Sequence, residues 1–196
     1  MKKLSVYVLF VFALNCSLDN ESVGQMDSTE ANFPAKSDAA FNNNIDESIE
    51  ECLVSYPGNG YSPYDFIYGS GIYHQTENII EVTSPTSRDI VFLLKDVYTG
   101  KIIRNEFIRS NSQFSLTKVP FGKYKFYYTY GTEWCVDQSF KSYDGAGNFS
   151  KDYAISKSED LVDFEFEHGY YGTYTLKLQM ALNGNLETES ASEDEL

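Results

Sequence analysis

Apolar and polar positions divide the chain into an oily opening, a long polar stretch and an alternating body. Leu4 to Leu14 is an apolar run of 11 residues behind Lys2 and Lys3. A bilayer-spanning helix needs about 20 residues, so residues 1–15 read as a secretory signal peptide rather than a span. Residues 17–43 hold few large apolar side chains and show no period. With residue 16 they predict a flexible acidic tether, 16–43, reaching roughly 30 Å as a coil. Asn44 to Leu53 sets Ile45, Ile49, Cys52 and Leu53 at i, i+4, i+7 and i+8. That is the stripe of a short amphipathic helix capped by Asn44, with Cys52 on its buried face. Tyr56 to His74 is dense in Gly, Pro and Tyr and is punctuated as a loop.

The alternating body begins after the loop. Residues 78–83, 89–96, 102–108 and 113–119 read as strands, the second apolar on both faces in its middle, as a central strand should be. Residues 98–101, Tyr-Thr-Gly-Lys, read as a turn. In residues 123–130, Tyr124, Phe126, Tyr128 and Tyr130 share one face, and Lys123, Lys125, Tyr127 and Thr129 share the other. This predicts a half-buried strand with a wet face. Residues 161–167 and 173–181 alternate in the same way. About seven short strands with almost no helix predict an all-β antiparallel sandwich over residues 44–186, followed by a solvated acidic tail, 187–196.

The cysteine that ends the oily run changes this picture. Ala13-Leu14-Asn15-Cys16 resembles the cleavage box of a bacterial lipoprotein signal. The resemblance implies that Cys16 is lipidated, becomes the mature N-terminus and anchors the chain to a membrane. Ser17-Leu18-Asp19-Asn20-Glu21 is similar to the acidic sorting signal that sends some lipoproteins to the outer face of the outer membrane. The expected address is the outer membrane facing the exterior, with its periplasmic face as the alternative. The formal charge is −14, from 15 basic and 29 acidic side chains; without Lys2 and Lys3 it is 13 − 29 = −16. Such a surface repels phosphate backbones, which argues against nucleic-acid partners. It gains nothing from anionic headgroups either, so acyl chains have to do the anchoring. With Cys16 lipidated, Cys52 and Cys135 are left. They either form a disulfide in an oxidising compartment or stay two separate buried thiols.

Two further resemblances concern the fold. Asp96, Thr99-Gly100, Phe114-x-Leu116 and Val119-Pro120-x-Gly122-x-Tyr124 are similar to the carboxypeptidase-regulatory or transthyretin-like sandwich over residues 89–130. The implied fold is an Ig-like or transthyretin-like sandwich, which hosts binding and accessory roles rather than one chemistry. The order of motifs from "TGKIIRNEFIR" to "NGNLETES" resembles a family of small, uncharacterised bacterial surface lipoproteins. That resemblance supports the same address and a single domain, and it carries no catalytic residues.

Candidate chemistry is sparse. His74 and His168 lie about a hundred residues apart among turn residues and read as surface or loop side chains. No zinc spacing and no Gly-x-Ser-x-Gly elbow is present. "DGAGN" at 144–148 lacks the alternating acids of a calcium loop and reads as a turn. No catalytic residue, metal ligand or cofactor is therefore assigned. Recognition has two candidate seats. The aromatic loop either stacks on sugar rings or is pinned to the domain by buried tyrosines. Tyr127, Trp134, Tyr170 and Tyr171 form a candidate aromatic patch on one rim of the sandwich, unless Trp134 is a core plug. The expected function is a non-catalytic binding or accessory module for a protein or glycan partner. The alternatives are a structural component of an envelope complex and, third, a hydrolase using a carboxylate pair.

Overall fold

The computed structural model describes residues 3–8, 11–12, 52–165, 171–180 and 188–196. Cys16, the tether and the first eight residues of the helix read at 44–53 lie outside the described residues, as do His168 and Tyr170. The strands in chain order are Lys3–Val8 (β1), Val11–Phe12 (β2), Ile79–Thr83 (β3), Asp89–Asp96 (β4), Ile102–Ile108 (β5) and Gln113–Thr117 (β6). Gly122–Cys135 (β7), Asn148–Ser158 (β8), Val162–Phe164 (β9), Tyr171–Lys177 (β10), Gln179–Met180 (β11) and Thr188–Ser190 (β12) follow. One helical turn, Asp65–Tyr68 (α1), interrupts the aromatic loop.

The fold is an all-β sandwich. One sheet runs β12-β8-β7-β4-β5, with β9 paired to the start of β7; the other runs β1-β10-β3-β6. The second sheet is mixed rather than purely antiparallel, because β10 lies parallel to β3. Between Thr83 and Tyr171 the chain crosses to the large sheet, and this long excursion is what a parallel return requires. The run read as a signal-peptide core appears here as β1, parallel to β10 in the register Lys3↔Tyr171 to Val8↔Leu176. Among the described residues no helix is long and apolar enough to cross a membrane.

Two hydrophobic clusters explain why β4 is apolar on both faces. Ile90, Phe92 and Leu94 point between the sheets, where they meet Ile80, Val82, Leu116, Tyr124, Phe126 and Leu176. Val91 and Leu93 point the other way, into a second cluster with Tyr64, Phe107, Trp134, Phe140 and Phe149. Each large apolar side chain removed from water contributes about 1.5–3 kcal/mol. The second cluster lies beneath the aromatic loop, so the face of β7 expected to be wet is covered. Tyr127 and Thr129 are buried, and Lys95 stands over the Tyr127 ring at 5.5 Å.

Turn chemistry sets the connections. Thr99 donates from its N–H and its hydroxyl to Asp96 Oδ1, at 2.6 and 2.8 Å, and Gly100 takes φ 68° to close the turn. The Tyr124 hydroxyl donates back to the Pro120 carbonyl at 3.1 Å, fixing the entry to β7. Burial, with Asp96 nearby, pushes that hydroxyl up to about 12. β8 has no counterpart among the strands expected from sequence. It pairs with β7 across a bulge between Tyr130 and Thr132, and Asp152 takes φ 53°. These breaks erase a period of two. At the bulge Gly131 is required, since a Cβ there would stand 2.5 Å from the Phe149 Cβ and 2.7 Å from the Lys151 carbonyl.

Residues 188–196 are not a free tail. β12 pairs antiparallel with β8, and the segment beyond it is tied down by charge. Lys157 Nζ contacts Glu195 at 2.6 Å and Glu189 at 3.5 Å. The Tyr153 hydroxyl donates to Glu193 at 2.8 Å, and the Lys141 N–H donates to the same carboxylate at 2.8 Å. Lys141 Nζ reaches the Leu196 carbonyl at 2.6 Å. Glu189 and Glu195, read as solvated, are matched to Lys157 of β8, while Lys95 of β4 and Lys141 of a loop donate to the backbone carbonyls of Glu195 and Leu196; no local pattern reveals that match.

Candidate binding surface

Of the rim patch expected from Tyr127, Trp134, Tyr170 and Tyr171, the three described members, Tyr127, Trp134 and Tyr171, do not share an exposed rim, and Tyr170 lies outside the described residues. Trp134 is 2 % exposed and Tyr127 6 %. Trp134 is the plug of the second cluster: its ring meets Phe107 at 5.3 Å and Phe149 at 5.0 Å, both edge-on. It also closes over Gly147, where an added Cβ would lie 2.5 Å from the indole. Tyr171 belongs to the other sheet and stacks on Phe121 at 6.1 Å. Burial wins at Trp134 because the loop supplies a ceiling for the outer face of the large sheet, and a single-strand pattern cannot show a ceiling.

The aromatic loop splits between the two roles considered for it. Tyr64 is buried and stacks on Phe140 at 3.9 Å, and its N–H donates to Asn105 Oδ1 at 2.7 Å. Burial drives its hydroxyl well above the ordinary tyrosine value. Asn105 in turn donates to Asp65 at 2.9 Å. Phe66, by contrast, is 60 % exposed, and Tyr143, 49 % exposed, meets it edge-on at 5.8 Å. Tyr56, Tyr61, Ile72 and Tyr73 are exposed along the same segment. The spacing across α1 accounts for the split: Tyr64, just before the turn, and Tyr68, four residues on, turn inward and leave Phe66 between them facing out. The residues "YDFIY" carry that spacing, but one helical turn is too short to show a period in the sequence.

The loop is held firmly at several points. Cys52 and Cys135 form a disulfide with 5.6 Å between their Cα atoms. Val54 bridges Cys135, and the Leu53 N–H donates to the Asp137 carboxylate at 3.1 Å. The extended backbone here replaces the helix end expected at Cys52 and Leu53. Arg109 donates to the carbonyls of Pro57 and Tyr56 at 2.7 and 2.6 Å. Gly60 and Tyr61 pair with Phe107 on the edge of β5, and the Ile72 N–H reaches the Ile103 carbonyl at 2.9 Å. Exposed rings on a pinned backbone lose little conformational entropy when they bind.

One buried carboxylate is shifted from its ordinary value. Burial raises Glu106 above the usual range, against the pull of Arg104 and the Ser62 hydroxyl, both of which hydrogen-bond it. Arg104 also donates to the Thr117 carbonyl of the facing sheet at 3.0 Å and lies under the Tyr73 ring at 4.2 Å. Glu106 is buried and engaged by internal partners on both oxygens, so it joins β5, the loop and the small sheet. His74 is exposed. Among the described residues no cluster of His, Cys, Asp or Glu could hold a metal ion. No protein-family model, no curated protein and no solved structure matches the chain.

Proposed function

We propose that the chain is a lipid-anchored, surface-displayed binding module that is not an enzyme. Cys16 would tether it to the outer membrane, and it would grip a protein or glycan partner through the aromatic rim of the loop. The observation that carries this reading is the exposed Phe66–Tyr143 pair, with Phe66 on the loop that the sandwich and the disulfide hold still and Tyr143 on the neighbouring connection between β7 and β8, where its backbone pairs with Phe140. Exposed aromatics on a preorganised backbone are the usual anchors of recognition surfaces, whether for sugar rings or for protein side chains. The resemblance of residues 89–130 to transthyretin-like accessory domains points the same way.

The test is a pull-down from the envelope of the chain's own cells, together with a glycan array, using the processed protein and a Phe66→Ala/Tyr143→Ala variant. Both side chains are exposed, so the variant should keep the melting temperature within a few degrees. Loss of two aromatic anchors should weaken capture by about 2 kcal/mol or more, some thirtyfold. A partner held equally well by the variant would move the site elsewhere and sink this reading. Trp134→Ala is unsuited as the probe, because it empties the second cluster.

A further inference from the structure

A sandwich exposes four sheet edges, and an exposed edge invites pairing with other chains unless it is blunted. Three of the four are managed by the chain's own body. β5 is covered by the loop through Gly60, Tyr61 and Ile72. β8 is covered by β12. β6 is five residues long, and its last carbonyl, of Thr117, is taken by Arg104. The fourth edge is β10, and the strand that covers it is β1, residues Lys3–Val8 of the oily run.

Along the six residues that β1 covers, Tyr171 to Leu176, β10 reads Tyr-Gly-Thr-Tyr-Thr-Leu, with neither charge nor proline; its one lysine, Lys177, stands at the far end of the strand. The strand is anchored from below: Leu176 is fully buried, Tyr174 packs on the core between the sheets, and the Tyr174 hydroxyl donates to the Asp163 carbonyl at 2.9 Å. Gly172 lies over the Phe164 ring, where an added Cβ would stand 2.8 Å away. Over Tyr171 to Leu176 the edge is therefore uncharged and anchored to the core, and six residues of chain already sit along it in parallel register.

We infer that, once residues 1–15 are removed, β10 becomes an open acceptor for a parallel β-strand donated by a partner protein. This rests on the reading of those residues as a cleaved signal peptide. The seat defines the donor. It is an extended segment of about six residues, since strands pair residue for residue along their length. Its alternate positions should be apolar, as Val6 and Val8 are where the register sets them beside Tyr174 and Leu176. Backbone hydrogen bonds would carry the affinity and the alternate side chains the specificity.

The experiment uses the exported chain extracted from membranes. Its intact mass shows whether residues 1–15 have been removed. Hydrogen exchange at Tyr171–Lys177 is then followed without and with a synthetic Lys2–Val8 peptide, a scrambled peptide, and one N-methylated at alternate amides. The expected result is a processed chain with fast exchange at β10, slowed about tenfold or more by the Lys2–Val8 peptide alone. Retention of residues 1–15 overturns the anchoring reading and the vacancy with it. A processed chain whose β10 exchange is unchanged by the peptide overturns the acceptor inference alone. Exchange that is slow without peptide and speeds up on dilution assigns the edge to a second copy of the chain, which also overturns it.

Discussion

Arg104 and Glu106 show how a single pair can be expensive and still be needed. Both leave β5 on the core side and are buried. Taking each charge out of water costs several kcal/mol. The return comes from Nε and Nη2 of Arg104 on Glu106 Oε1, from Nη1 on the Thr117 carbonyl, and from Ser62 on Glu106 Oε2. Arg104→Met alone leaves a buried carboxylate without its cation, and should cost about 3–5 kcal/mol in urea unfolding. Arg104→Met combined with Glu106→Leu should recover most of that loss. A double variant as unstable as the single one would show that the pair is not the source of the cost. The pH dependence follows from the direction of the shift. Glu106 is raised by burial, so its ionisation weighs against folding above the ordinary carboxylate range. That weight is lifted as the pH falls through the raised value.

Among the elements, the C-terminal strap is held partly by backbone and partly by charge. The hydrogen bond from Lys157 lowers the Glu195 carboxyl, and the same contact raises Lys157. Burial lowers Lys95, with Lys141 beside it pushing the same way and Glu195 opposing. A carboxyl lowered by folding contributes stability that is complete above its unfolded value and is lost as the pH falls through its folded value. Amides of Thr188–Ser190 should thus be protected at neutral pH and lose protection below about pH 4, before the sandwich unfolds. Protection that persists to pH 3 in hydrogen exchange would assign the strap to its β12–β8 ladder rather than to Lys95, Lys141, Tyr153 and Lys157. The strap was illegible in the sequence because its acids and their lysines are tens of residues apart. β4 was legible because burial on both faces leaves an unbroken apolar run, whereas the bulge and positive φ of β8 broke its alternation.

For the whole molecule, the disulfide closes a separation of 83 residues and ties the loop entry to the end of β7. On the chain-entropy account, replacing Cys52 and Cys135 by serine should cost about 4–5 kcal/mol. Urea midpoints with and without reductant measure it. A shift worth under about 1 kcal/mol would mean that the loop's other ties already restrict the unfolded chain or hold the native one. The same loop turns a two-sheet sandwich into three layers, with a second cluster beneath it. That third layer decides which aromatics can meet a partner.

From the sequence alone came the all-β class, the bounds of β4 and β5, those of β3 and β6 to within two residues, the Tyr98–Lys101 turn and the scarcity of catalytic motifs. These follow from local periods and turn residues, which act over a few positions. Only the tertiary structure decided that Trp134 and Tyr127 are buried while Phe66 and Tyr143 are exposed. It alone returned β10 parallel to β3 and set Glu189 and Glu195 against Lys157 of β8. Burial depends on what covers a face, and the cover here comes from segments distant in the chain.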